Sequence, residues 1–323
     1  MLYFAAVKRK KIIRFTIWTL LTLFILMNAV AYMHAYKFTH FSGIEKVRTK
    51  DPGKLTFGEK VKTLLTGIEN PRPGLADSPK QAFKVINLVS NKRIECWSIQ
   101  KDSSRGTVVL FHGYRGNKSS MIAKSDEFLK MGFSTFLVDF MGSGGSEGNQ
   151  TTIGYKEADE VKTCFEFLKN KGENNIILFG SSMGSAAILR AVYKYEIEPS
   201  AIIIECPFGS MYKTTCVRFR KMGVPSFPMA GLLVFWGGVQ NGFNGFSHSP
   251  EKYAKSARCP VLLIYGEKDE RVTRKEIQDI FENIPGKKSL KTYPEAGHGD
   301  YLDKYKSQWI SDISHFLSEQ TIQ

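Results

Sequence analysis

Three kinds of apolar pattern follow one another along the chain. From Phe15 to Tyr36 the residues carry no formal charge and are dominated by Ile, Leu, Phe, Trp and Val. A run of that length matches the roughly 20 residues a helix needs to cross a bilayer core. Residues 37 to 80 are polar. Asp51-Pro52-Gly53 and Pro71-Arg72-Pro73-Gly74 act as breakers around one short amphipathic piece from Phe57 to Leu65, so the segment reads as a linker or N-terminal extension. Beyond residue 81 short apolar runs set the rhythm. Phe83 to Val89 and Arg93 to Ile99, separated by Ser90-Asn91-Lys92, predict an antiparallel hairpin. Buried strands are then expected at Thr107 to Phe111, Ser134 to Val138, Ile176 to Phe179, Ala201 to Glu205, Val261 to Tyr265 and Ser289 to Tyr293. Helices are expected near Ser120 to Met131, Tyr155 to Asn170, Met183 to Tyr195, Thr273 to Asn283 and Leu302 to Leu317. In the second of these Val161, Cys164, Phe165 and Leu168 form the i, i+3, i+4, i+7 stripe that packs on a sheet. Alternation of this kind implies an α/β chain with a mostly parallel central sheet flanked by helices on both faces.

Residues 207 to 258 break that alternation. They combine Phe208, Phe219, Phe227, Phe235, Trp236, Phe243 and Phe246 with many glycines and prolines. An aromatic yet irregular insertion between two strands reads as a cap over a site. The expected organisation is therefore 1–36 as basic tail and transmembrane signal-anchor, 37–80 as linker, and 81–323 as the folded domain, with its cap at about 207–258.

Charge sharpens the reading of the N-terminus. The chain has a net charge of +14, and Lys8, Arg9, Lys10, Lys11 and Arg14 precede the apolar run. The positive-inside rule keeps that side cytoplasmic and places everything after residue 36 outside, periplasmic or extracellular. Ala29-Val30-Ala31 also matches an A-x-A cleavage site, as in a removable signal peptide, but the apolar run continues beyond it. The other basic residues are scattered, with no stripe interleaved with aromatics, so nucleic acid is not an expected partner. An anionic membrane surface is. With 42% hydrophobic and 24% charged residues the body is ordinary globular material. The five cysteines, Cys96, Cys164, Cys206, Cys216 and Cys259, show no metal-binding spacing and read as small buried hydrophobes, a Cys206–Cys216 bridge staying open for an exported domain.

The chemistry centres on Ile176-Ile177-Leu178-Phe179-Gly180-Ser181-Ser182-Met183-Gly184. This is G-x-S-x-G between a strand and a helix, a turn that strains the serine backbone and lifts its Oγ clear of the sheet. Open α/β sheets build sites at the carboxyl ends of their strands. His112, Ser182, Asp269 and His298 each follow an expected strand and so collect at that edge. A serine hydroxyl is a weak nucleophile until a base takes its proton; His298 suits that role, with Asp269 to fix the imidazole tautomer. The developing oxyanion needs preorganised donors, for which the backbone N–H groups of Met183 and Tyr114 are candidates. Competing assignments are His112 or His248 as base and Glu205 as acid.

Five ordered motifs, Val109 to Asn117, Asp139-Phe140-Met141-Gly142-Ser143-Gly144-Gly145-Ser146, Gly180 to Gly184, Gly266 to Val272 and Gly297-His298, resemble the α/β-hydrolase superfamily over about residues 82 to 320. The branch is similar to monoacylglycerol lipases, bacterial lysophospholipases and serine aminopeptidases. The resemblance implies a Ser182, Asp269, His298 triad in that chain order, an oxyanion hole at Tyr114 and Met183, and no cofactor. Met141 departs from the pattern, standing where that branch commonly has Arg. The expectation is a membrane-anchored serine hydrolase that cleaves a small-molecule or lipid ester through an acyl-enzyme. A peptidase would want an acidic pocket, with Glu205 its one candidate. A non-catalytic binding module would be expected to have lost one of the three residues, and none is lost.

Overall fold

The computed structural model describes residues 2–43, 45–50, 55–74 and 77–319; the Asp51-Pro52-Gly53 breaker lies outside the described residues. The N-terminal part holds α1 (Leu2–Thr39) and α2 (Phe57–Thr66). Next come β1 (Lys84–Val89), β2 (Arg93–Ile99), β3 (Thr107–Phe111), α3 (Ile122–Lys130), β4 (Ser134–Val138), α4 (Glu157–Asn170), β5 (Ile176–Ser181), α5 (Met183–Tyr195) and β6 (Ala201–Glu205). The chain then forms α6 (Met211–Met222), α7 (Met229–Asn241) and α8 (Pro250–Tyr253). It closes with β7 (Val261–Gly266), α9 (Arg274–Asn283), β8 (Lys288–Tyr293), α10 (Tyr301–Lys304) and α11 (Lys306–Ser318).

The strands form one eight-stranded sheet in the order β1-β2-β4-β3-β5-β6-β7-β8. The β1–β2 hairpin and the β2–β4 pair are antiparallel; every other pair is parallel. β3, β4, β5, β6 and β7 are buried at every residue, as strands covered on both faces must be, and this is why they read as unbroken apolar runs. One face packs on α4, α5 and α9 through Val161, Ile188 and Ile277. The other packs on α3 and α11 through Phe128, Trp309 and Ile313. The two edges are kept polar, with Lys84 on β1 and Lys288 and Lys291 on β8, which discourages further strand pairing.

The segment after residue 37, expected as a linker or N-terminal extension, is hydrogen-bonded to the body. Thr151 N–H donates to Thr39 O (2.8 Å) and Phe41 N–H to Asn149 O (2.6 Å), while the Arg72 guanidinium donates to the carbonyls of Gly144 (2.9 Å), Ser146 (2.6 Å) and Gly148 (3.3 Å). Arg72 of this polar segment thus satisfies loop carbonyls of the body. The 207–258 excursion is mostly helical. Its glycines signalled irregularity, yet Gly238 sits inside α7 because an added Cβ would meet Phe243 O at 2.5 Å and Gly245 N at 2.6 Å. Close packing there outweighs the helix cost of glycine. Finally, the C-terminal helix is split at Tyr305, whose φ of −130° interrupts it between α10 and α11.

Candidate active site

β5 ends at Ser181 and α5 begins at Met183, leaving Ser182 alone in the turn at φ 52°, ψ −104°. That conformation is nearly closed to L-residues and costs of order 1–3 kcal/mol, which the surroundings must over-determine. They do so through the backbone: Ser182 N–H donates to Glu205 O (2.8 Å), and Ser185 Oγ donates to Gly180 O and Glu205 O, both at 2.8 Å. The flanking glycines are required by contact. A Cβ on Gly180 would meet Gly184 C at 2.6 Å, and one on Gly184 would meet Phe111 O at 2.3 Å.

The loops after β7 and β8 bring Asp269 and His298 to this turn. His298 Nε2 lies 2.9 Å from Ser182 Oγ, and His298 Nδ1 lies 2.7 Å from Asp269 Oδ2. The Asp269 side chain is wholly buried, and its Oδ1 accepts from the N–H groups of Arg271 (2.7 Å) and Val272 (3.1 Å). The carboxylate is therefore held rigidly toward the imidazole. Burial acts to lower the His298 pKa, but Cys206 and the Asp269 carboxylate beside the ring outweigh it, so the pKa stands above the ordinary imidazole value.

The competing residues are engaged elsewhere. His112 Nε2 accepts from Phe140 N–H (3.1 Å) and its Nδ1 faces Gly113 O (2.8 Å), so it shapes the loop before Tyr114. His248 lies against Ile153 O (3.0 Å), and burial first of all pushes its pKa down to about 4. Glu205 accepts from Lys124 Nζ (2.5 Å) and Trp309 Nε1 (3.0 Å) and has no contact with His298. Cys206 and Cys216 are both free. Cys206 Sγ instead lies 3.8 Å from His298 Nε2, a neighbour that spacing alone did not reveal. Donor atoms of Cys206, Asp269 and His298 converge within 4.8 Å, yet both imidazole nitrogens already serve the Ser182 and Asp269 contacts, which a metal would have to displace.

Ser182, Met183, His298, Gly113 and Tyr114 open onto a cavity of about 330 Å³. Met183 is the first residue of α5, and N–H groups in a first helical turn have no acceptor within the helix. Part of the wall comes from elements the sequence did not link to the site, His34, Ala35 and Phe38 of α1 and Leu64 of α2, and part from Leu233 and Val234 of α7, within the 207–258 segment. Tyr114 ties two of these regions together. Its Oη donates to Phe38 O (2.7 Å) and accepts from Asn70 Nδ2 (3.0 Å).

The fold and the family matches define the class they support, a hydrolase of the α/β-hydrolase superfamily. Residues 102–252 match the family model described as serine aminopeptidase, S33, and residues 218–312 match the dienelactone hydrolase family. Among particular relatives, YqkD from Bacillus subtilis is 24% identical over 74% of this chain and 79% of its own length. A Saccharomyces cerevisiae protein described as an uncharacterized membrane protein is 26% identical over 70% of this chain and 77% of its own. The esterase Pf2001 from Pyrococcus furiosus shares the fold with a TM-score of 0.64 at 23% identity, covering 77% of this chain and 98% of that one. In α1 the span Lys8–Thr39 contains a stretch long and apolar enough to cross a membrane, with a mean hydropathy of 1.8 over 18 residues.

Proposed function

We propose that the protein is a membrane-anchored serine hydrolase that cleaves carboxylic esters through an acyl-enzyme. The observation that carries this reading is the unbroken relay from Ser182 Oγ to His298 to buried Asp269, seated on a strained turn at the floor of an apolar cavity. In the reaction Ser182 Oγ attacks the acyl carbon while His298 Nε2 takes its proton. Asp269 stabilises the resulting imidazolium, and the N–H groups of Met183 and Tyr114 receive the oxyanion. The imidazolium then protonates the departing alcohol, and a water activated by the same nitrogen releases the acid. No step calls for a cofactor. Helix α1 is the anchor, with Lys8 to Arg14 in the cytoplasm and the catalytic domain on the opposite side. Helices α6 and α7, within 207–258, form the cap.

The wall composition favours an ester over a peptide with a free N-terminus. It is lined by Arg218 and Arg271 and, among the described residues, by no carboxylate that would hold a substrate ammonium. Glu205 is committed to Lys124. Labelling of the detergent-solubilised chain with a fluorophosphonate, alongside turnover of p-nitrophenyl esters of graded acyl length, tests the reading. Labelling and turnover are expected in the wild type and absent in Ser182→Ala. An unlabelled, correctly folded wild type, or peptide turnover exceeding ester turnover, would overturn it.

A further inference from the structure

The cavity that reaches Ser182 is walled in part by the same helix that is apolar enough to cross a membrane. That juxtaposition constrains where the cavity opens. Every described residue of α1 from Lys8 to Leu26 is exposed, whereas packing against the body begins at Met27. Phe15 to Leu26 rises only about 18 Å at 1.5 Å per residue, short of a hydrocarbon core of about 30 Å. Completing the crossing takes roughly eight more residues, to about residue 34. Those are the residues on which α7 sits. Trp236 Nε1 donates to Asn28 Oδ1 (3.0 Å), Gln240 Nε2 donates to Tyr32 O (2.8 Å), and the Trp236 and Tyr32 rings meet edge to face at 5.3 Å. Small residues let the two helices approach: Ala31 and Ala35 are buried, and a Cβ on Gly237 would touch Ala35.

The chain around α7 is suited to that depth. From Met222 to Pro250 there is no Lys, Arg, Asp or Glu, and Phe227, Phe235, Val239 and Phe246 are exposed. Phe235 and Val239, spaced i, i+4, share one face of α7. On the other side of the opening, α2 exposes Phe57, Val61 and Leu65 at i, i+4 and i+8, and the His34 ring reaches Leu64 O at 2.9 Å. Such a stripe, with Lys60 and Lys62 between its apolar residues, is what a helix lying in a headgroup layer presents.

We infer that α7 is immersed in the bilayer beside α1, that α2 lies in the adjoining headgroup layer, and that the cavity opens between them toward the lipid. The ester then arrives laterally from the leaflet, and the substrate class is a membrane-resident acyl ester. This rests on Ser182 being the nucleophile. Immersion itself does not, so the two readings can be tested apart. Leu233 and Val234 of α7, Phe38 of α1 and Leu64 of α2 give the cavity an apolar wall on the side of these helices, Arg218 and Arg271 being its charged lining residues.

The experiment uses the full chain reconstituted in phosphatidylcholine vesicles. Cys216 and Cys259 are replaced by Ser, and Val239→Cys carries an environment-sensitive nitrobenzoxadiazole label. Quenching by lipids doxyl-labelled on the acyl chain is expected to exceed quenching by a water-soluble agent. A second arm introduces Phe235→Asp with Val239→Asp, side chains that line neither the cavity nor the relay. Hydrolysis of a long-chain acylglycerol in vesicles should fall at least about tenfold, while fluorophosphonate labelling and short-chain ester turnover in detergent stay within about twofold of wild type. A label at 239 open to the aqueous quencher would overturn the inference. So would protection that needs no lipid and grows with protein concentration, which would make this face a contact between copies of the chain. Loss of short-chain turnover in the wild type, with 239 still quenched by lipid, would defeat the nucleophile assignment and leave immersion standing.

Discussion

Replacing Asp269 by Asn separates the proposed relay from its runner-up with a single atom. The carboxylate Oδ1 is pinned by two backbone donors, Arg271 N–H at 2.7 Å and Val272 N–H at 3.1 Å, and Oδ2 faces His298 Nδ1 at 2.7 Å. In Asp269→Asn the amide oxygen must stay with the two N–H groups, which turns the NH₂ toward Nδ1. Nδ1 then accepts, the proton moves to Nε2, and Nε2 donates to Ser182 Oγ instead of accepting from it. The base is lost with the fold intact. Because the Asp269 side chain has no exposure to water, solvent cannot supply the alternative tautomer. A wrong-tautomer relay costs about 10³–10⁴ in rate, or about 4–5.5 kcal/mol of transition-state stabilisation. The measure is kcat/KM on a short-chain p-nitrophenyl ester, with urea unfolding as the stability control. The matched control is Glu205→Gln. It leaves Lys124, only 9% exposed, without its counter-charge, and should cost about 3–5 kcal/mol of stability while the folded fraction turns over at nearly the wild-type rate. Less than a tenfold loss in Asp269→Asn, together with an inactive but folded Glu205→Gln, would refute the assignment.

Other consequences follow from the same geometry. Since the His298 pKa is raised above 6.5, kcat/KM should climb with pH through a midpoint above that value, and the midpoint should drop in a Cys206→Ala variant; a profile flat from pH 5 to pH 8 would contradict the base assignment. The linked stability has the opposite slope: the imidazolium contribution is complete below 6.5 and is lost as pH rises through the folded-state value, which melting curves at graded pH would record. At position 182, Ser→Gly should be more stable than Ser→Ala by about 1 kcal/mol, because only glycine accepts φ 52°, ψ −104° without strain, and both should be inactive. Lys118 is fully buried between Asp139 and Glu95 and lies over the Trp97 ring at 4.5 Å; Lys118→Met, by stranding two carboxylates, should cost about 3–5 kcal/mol in denaturant titration.

Much of the fold was legible along the chain because its signals are local. Strands buried on both faces must be apolar throughout, so Val108 to Phe111, Ile176 to Phe179 and Ile202 to Ile204 stood out without any partner being known. The Ser182 turn was equally legible, since its two glycines answer to atoms only a few residues or one strand away. Ser182, Asp269 and His298 were each named from their place after a strand, and the structure brings all three together. Tertiary structure alone decided the rest. The glycines of α7 read as breakers because intrinsic propensity penalises them, and only the approach of Gly245 and Ala35 makes small residues necessary there. The roles of Asn70 and Arg72 were not legible because their partners, Tyr114 Oη and the carbonyls of Gly144 and Ser146, lie far away in sequence. The placement of Cys206 beside His298 likewise depends on two strand ends meeting. Sequence by itself determined which segments become strands and which side chains can carry chemistry, because burial pattern and turn geometry are written within a few residues. That the long apolar helix α1 forms a wall of the cavity was decided by packing between α1 and α7, some 200 residues apart, and no local pattern encodes it.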